Sequence, residues 1–189
     1  ARLERELPVL SDEADEAMAA AVAAARKSGD SIGAVIEGMI TGLPMGLGGP
    51  LFEGFDGALA FGLFGIPGVK GVEFGDGFAA ARRSGSAEND PGMTTSAPIL
   101  FRAAMKPTPS IALRQQTVSL EAGTAAELIV TGRHDPCIGI RAVPVVEAVA
   151  ALAALDLLLA PPAVLSKDLP NAECWASEAL KARAENTAQ

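Results

Sequence analysis

The run Thr131-Gly132-Arg133-His134-Asp135-Pro136-Cys137 contains the single histidine of the chain. A glycine, a guanidinium, an imidazole, a carboxylate and a proline follow one another directly here. Glycine and proline disfavour helix interiors and central strands, so the run is expected to be a shaped turn that presents its side chains. Two chemistries suit these residue types. Arg133 offers a fixed fork of donors to an anion, and beside it His134 and Asp135 can hold or pass a proton. A plainer alternative is a polar turn in which Asp135 caps a backbone amide and Arg133 is solvated.

A second candidate is Lys106-Pro107-Thr108-Pro109-Ser110. It supplies a cation and two hydroxyls on a backbone stiffened by two prolines, which suits a phosphate or a ring carbonyl held at little entropic cost. The alternative is a proline-rich turn with its lysine in solvent. Ile66-Pro67-Gly68-Val69-Lys70-Gly71 is a glycine-punctuated strand where Gly68 would let a ligand approach the backbone, or else a plain sheet strand with a solvated lysine. Gly46-Leu47-Gly48-Gly49 lacks the spacing of a dinucleotide or P-loop fingerprint. Arg82 and Arg83 read as a solvated helix face, Arg141 and Glu147 as an ion pair at a helix start, and Cys137 as a packed small hydrophobe.

These groups need elements to hold them. Ser11 followed by Asp12 and Glu13 reads as the capped start of a helix, with Ala14, Met18, Ala21, Val22 and Ala25 on helical spacing and Gly29 as its stop. Residues 31–43 read as a strand ended by Pro44, 43–50 as a loop, and 56–64 as a short apolar helix. Residues 66–75, 98–105, 117–120 and 127–131 read as strands, and 78–83 as a helical turn. Pro144 suits the first turn of a helix running to residue 160, where Pro161 and Pro162 stop it. A further helix is expected over 176–184. The pattern is α+β, an antiparallel sheet packed on helices.

Gly-Arg-His-Asp-Pro-Cys at 132–137, followed by Gly139-Ile140-Arg141-Ala142-Val143-Pro144, resembles the signature of the chorismate synthase family. Further blocks resemble it in the same order: Gly29-Asp30-Ser31-Ile32-Gly33, Gly46-Leu47-Gly48 with Pro50, Val69 through Phe78, and Lys106-Pro107-Thr108-Pro109-Ser110-Ile111. The resemblance runs from about residue 7 to 160 and is to the carboxyl-terminal half of that enzyme. It implies a domain over 1–162, an unmatched tail over 163–189, and one half of the family's β-α-β sandwich, in which helices lie between two four-stranded antiparallel sheets.

The resemblance also implies a lyase of the shikimate pathway of aromatic amino-acid biosynthesis. Its reaction eliminates phosphate from 5-enolpyruvylshikimate-3-phosphate to give chorismate, with reduced FMN required. Asp135 would then lie near the flavin ring nitrogen N5 as the acid/base group, with His134 beside it. Arg133, Lys106, Pro107, Thr108, Pro109, Ser110, Pro67 and Gly68 would contact the flavin. A homotetramer is implied.

Three departures set limits. The family's amino-terminal half, with two histidines and an arginine cluster for the substrate, has no counterpart here. The family's glycine-rich loop is missing after Asn89-Asp90, and Ala34 stands where a second glycine usually follows Gly33. A non-catalytic flavin- or anion-binding fragment, or a subunit needing a separate amino-terminal half, is therefore the rival expectation.

Composition agrees with a globule. Hydrophobic residues make up 49% of the 189 but aromatics only 4%, so the core must be aliphatic. A net charge of −8 argues against nucleic acid and anionic membrane surfaces. Two cysteines and one histidine make neither a disulfide scaffold nor an ordinary zinc site, so no metal and a cytoplasmic setting are expected. The apolar stretch 145–160 carries Glu147 and Asp156 and is shorter than a bilayer span.

Overall fold

The structure is a computed structural model and describes residues 7–49, 51–86, 97–132 and 134–159. The expected helix at 176–184 lies outside these residues.

Helix α1, Asp12–Ser28, starts where the Ser11 hydroxyl accepts the Ala14 N–H at 3.1 Å. It ends where Gly29 turns left-handed at φ 72° and the Asp30 N–H reaches back to the Ala25 carbonyl. Strand β1, Ala34–Ile40, is shorter than the 31–43 expected, because residues on either side leave the sheet for loops. Helix α2, Phe55–Phe64, precedes strand β2, Val69–Phe74, and a 3-10 turn follows at Gly77–Arg82. Strand β3, Ile99–Met105, lies between β1 and β2 and pairs antiparallel with both.

Strands β4, Gln115–Ser119, and β5, Thr124–Leu128, form a separate hairpin. The four-stranded sheet that the resemblance implies is thus, among the described residues, a three-stranded sheet and a hairpin. The hairpin also corrects the strand expected at 127–131. Its register is fixed by the turn, where Gly123 takes φ 64° and donates to the Ser119 carbonyl at 2.8 Å. Turn geometry outranks the apolar run Leu128-Ile129-Val130 that suggested the later position.

Helix α3, Gly139–Leu159, begins five residues before the expected start, and Pro144 lies inside it. A proline at the sixth helical position removes the bond to the Ile140 carbonyl, a loss offset here by docking. Ala142, Val146, Ala150 and Ala154 are buried at i+4 intervals and join the core against α2 and the sheet. With 21 residues, α3 is long and apolar enough to cross a membrane by length and composition, so shortness is no argument against a span. Its buried stripe of small residues instead binds it to α2 and β1.

The core lies between one sheet face and the two helices. Ile36, Val69, Phe101 and Met105 from the strands meet Phe55, Leu59 and Leu63 of α2 and the stripe of α3. The arrangement is α+β, with antiparallel strands on helices. Two glycines allow the close approaches. A Cβ at Gly38 would overlap the ring of its cross-strand partner Phe101, and one at Gly139 would overlap the methyl of Ala34.

Candidate functional site

Three connections and one helix start converge at the end of the sheet where β1 and β2 begin and β3 ends. Two backbone bonds, one hydroxyl bond and the approach of Ile138 to Gly68 tie them into a ring. The Lys106 N–H donates to the Gly68 carbonyl at 2.9 Å, tying the exit of β3 to the entry of β2. Gly68 has φ 101°, and a side chain there would press on Ile138 and Met105 at 3.2 Å each. Across the ring, the Ile32 N–H donates to the Pro136 carbonyl at 2.8 Å, and the Ser31 hydroxyl donates to the Thr108 carbonyl at 2.6 Å. Gly33 lies under the same crossing, where a Cβ would come within 2.6 Å of the Met105 carbonyl oxygen. The segments holding Pro67 and Gly68, Lys106 through Ser110, and His134 with Asp135 are therefore neighbours, although 67 and 135 are far apart in sequence.

Within the ring the side chains differ in their engagement. Lys106, Pro107, Pro109 and Pro67 are exposed, whereas Thr108 and Ser110 are half-buried. The Thr108 Oγ1 is buried and has no hydrogen-bond partner. Buried hydroxyls are normally satisfied, so this one, two residues from the exposed Lys106, leaves a hydrogen bond unmade at the ring. The Pro109 carbonyl accepts from the Gln115 side-chain amide at 3.2 Å, which ties the proline-rich segment to the hairpin.

His134 donates from Nε2 to the Val130 carbonyl at 2.8 Å; a carbonyl can only accept, so that nitrogen carries the hydrogen. This bond closes the turn and gives His134 an orienting part. Asp135 Oδ1 accepts the Cys137 N–H at 3.2 Å, so the carboxylate caps a backbone amide just before α3, as the plainer sequence alternative held. Its other oxygen, Oδ2, meets Arg141 Nε at 3.1 Å. Arg141 was expected to pair with Glu147 on the same helix. It meets Asp135 in the chain preceding the helix, because α3 starts early enough to place Arg141 in its first turn. Arg133 lies outside the described residues.

Sequence reasoning missed Arg141 as a site neighbour, along with Ser31, Ile32 and Ile138. The signal for Arg141 was a carboxylate just before a helix start with an arginine one turn in. Among the described residues no group of three His, Cys, Asp or Glu side chains could hold a metal ion. A cleft lined by Glu37, Gly75, Asp76, Leu100, Phe101 and Arg102 lies at the opposite end of the sheet. There Arg102 pairs with Glu73 at 2.9 Å, and Arg83 meets Asp76 at 2.6 Å on the surface nearby.

The ring brings three of the quoted blocks, around Ser31, Lys106 and Pro136, to one place, and comparison with known proteins agrees. A family profile described as "Chorismate synthase" matches residues 2–159. The chain belongs to the chorismate synthase family. It is similar to the chorismate synthase of Korarchaeum cryptofilum, 46% identical over 162 residues, covering 75% of this chain and 45% of that protein. The Archaeoglobus fulgidus relative is 47% identical over 151 residues, covering 69% and 42%. A solved structure described as "Crystal Structure of Chorismate Synthase" superposes with a TM-score of 0.59 at 28% identity, covering 78% of this chain and 43% of that one. The chain thus spans about half the length of the curated relatives it matches.

Proposed function

We propose that this chain contributes the flavin-side half of a chorismate synthase, which eliminates phosphate from 5-enolpyruvylshikimate-3-phosphate to give chorismate. The observation that carries the reading is the orphaned Thr108 hydroxyl inside the ring of family blocks. A flavin fits the residues present: Lys106 supplies a cation, Thr108 and Ser110 supply hydroxyls, and Gly68 shapes the backbone beside them by a φ of 101°. Arg133, Pro67, Pro107 and Pro109 complete the proposed contacts, the prolines by shape.

Reduced FMN held there would supply transient electron density for breaking the C–O bond, with no net redox change. The chain's own residues supply binding and proton handling. Lys106 and Arg133 balance negative charge on the cofactor or substrate. Asp135 keeps one further acceptor position on each oxygen beyond its two bonds, and it holds or passes a proton there. His134 fixes the turn that carries Asp135. The two-proline segment holds Thr108 and Ser110 in place before the ligand arrives, reducing the entropy lost on binding.

The active assembly under this reading is a cytoplasmic homo-oligomer, a tetramer as in the family, with the amino-terminal half of the fold supplying the substrate's histidines and arginines. The test is formation of chorismate from substrate and reduced FMN under anaerobic conditions, with this chain alone and with the amino-terminal half of the Archaeoglobus fulgidus relative added. Chorismate in the assembled sample supports the proposal. An assembled, flavin-loaded sample that forms none rejects it.

A further inference from the structure

We propose that Arg141 is the positioning residue for Asp135, a part that follows from geometry and rests on the proton-handling reading of Asp135 above. Asp135 stands in a turn, where a short carboxylate would otherwise rotate. Both its oxygens are taken by donors from one rigid source, the start of α3: Oδ1 by the Cys137 N–H and Oδ2 by Arg141 Nε. Two donors on two oxygens fix the plane of the carboxylate as well as its position. The anchor is firm, since Cys137, Gly139 and Ala142 around Arg141 are all buried.

Magnitude separates positioning from stability. The Arg141 side chain is 77% exposed and that of Asp135 24% exposed. Ion pairs with so much solvent around one partner add little to folding. Such a pair is better spent on aim. The pair engages Arg141 through Nε, at 3.1 Å from the Asp135 Oδ2. Arg141 therefore holds Asp135 from one side while the remaining acceptor positions of the carboxylate stay open. Outer groups that orient a reacting ligand are commonly worth about 10–100-fold in activity. Small misplacements of a reacting group cost on the same order.

The experiment is a double-mutant cycle in the assembled enzyme, read in turnover, KM and flavin affinity, together with the NMR signal of the Arg141 Nε–H in the full chain. Arg141→Gln should lower kcat about 10–100-fold with little change in KM or flavin affinity. Arg141→Lys should recover part of the loss. Asp135→Asn should abolish the protected Nε–H signal, and the double variant should be no slower than Asp135→Asn alone. Multiplied losses in the double variant, or a rise in KM with kcat unchanged, would mean that Arg141 meets the substrate directly and would overturn the proposal. Thermal unfolding of each variant separates loss of fold from loss of aim. Wild-type turnover in Asp135→Asn would remove the parent reading, and a persisting Nε–H signal in the parent chain would then mark a purely structural pair.

Discussion

Thr108 carries a sign of unfinished bonding at the site, a buried hydroxyl oxygen with no partner among the described residues. Leaving such a group unsatisfied costs about 1–3 kcal/mol, and an apolar replacement of the same shape removes that cost. Thr108→Val should therefore leave the ligand-free chain as stable or raise its unfolding free energy by up to ~1 kcal/mol, while weakening FMN binding. Thermal melts with and without flavin check both halves, and a variant that lost stability and kept its flavin affinity would remove Thr108 from the site. For Asp135 the expected effect is on rate. Asp135→Asn should lower turnover roughly 10²–10⁴-fold while changing flavin affinity far less. Steady-state kinetics beside a fluorescence titration decide, and near-wild-type turnover would reject the acid/base part. The residue types at 106–110 and 132–137 were enough to suggest a cation, hydroxyls and a proton-handling pair. That they meet was legible only through the resemblance, because the Lys106–Gly68 and Ile32–Pro136 bonds join segments with no local sequence signal.

At the scale of elements, α3 meets β1 where Gly139 passes under the methyl of Ala34. A methyl at position 139 would have to displace one of them, and overpacking of this kind typically costs about 1–3 kcal/mol. Gly139→Ala should destabilise the chain by that amount, and adding Ala34→Gly should restore most of it. Denaturant melts of the two single variants and the double variant measure the coupling, and simple additivity would show that the contact is not tight. The same helix shows where sequence reading fell short. Its apolar character was plain from the sequence, but neither its start nor the buried stripe of Val146, Ala150 and Ala154 was, because apolar residues lie on nearly all its sides. Proline is so favoured in a first turn that Pro144 concealed the true start five residues earlier, where Gly139 crosses Ala34 just after the Asp135 cap. By contrast, α1 was readable at both ends, since Ser11 and Gly29 each perform a local, self-contained capping job.

Among the described residues, α2 and α3 are covered on one side by the sheet and carry exposed apolar side chains elsewhere. Phe61 of α2 is 86% exposed and Leu152 of α3 63%, with Phe64, Leu155 and Leu158 beside them about half exposed. Monomers rarely leave large apolar patches in water, and these five side chains on two packed helices are candidates for one. The chain should therefore self-associate or pair with another polypeptide at micromolar concentration. Sedimentation finding a compact monomer that binds no hydrophobic dye would contradict this. The order of strands has a different consequence, one of timing. The central strand β3 is the last of the three in sequence, and β1 and β2 touch it but not each other. As the chain leaves the ribosome, β1 and β2 emerge with no strand to pair with, and both must wait until Met105 is clear. The wait is short at ordinary synthesis rates of about 5–20 residues per second, but it leaves two unpaired strand edges and the apolar α2 open to the wrong partners. Stalling synthesis before residue 99 should leave a protease-sensitive nascent chain, and stalling well beyond residue 159 a protected one.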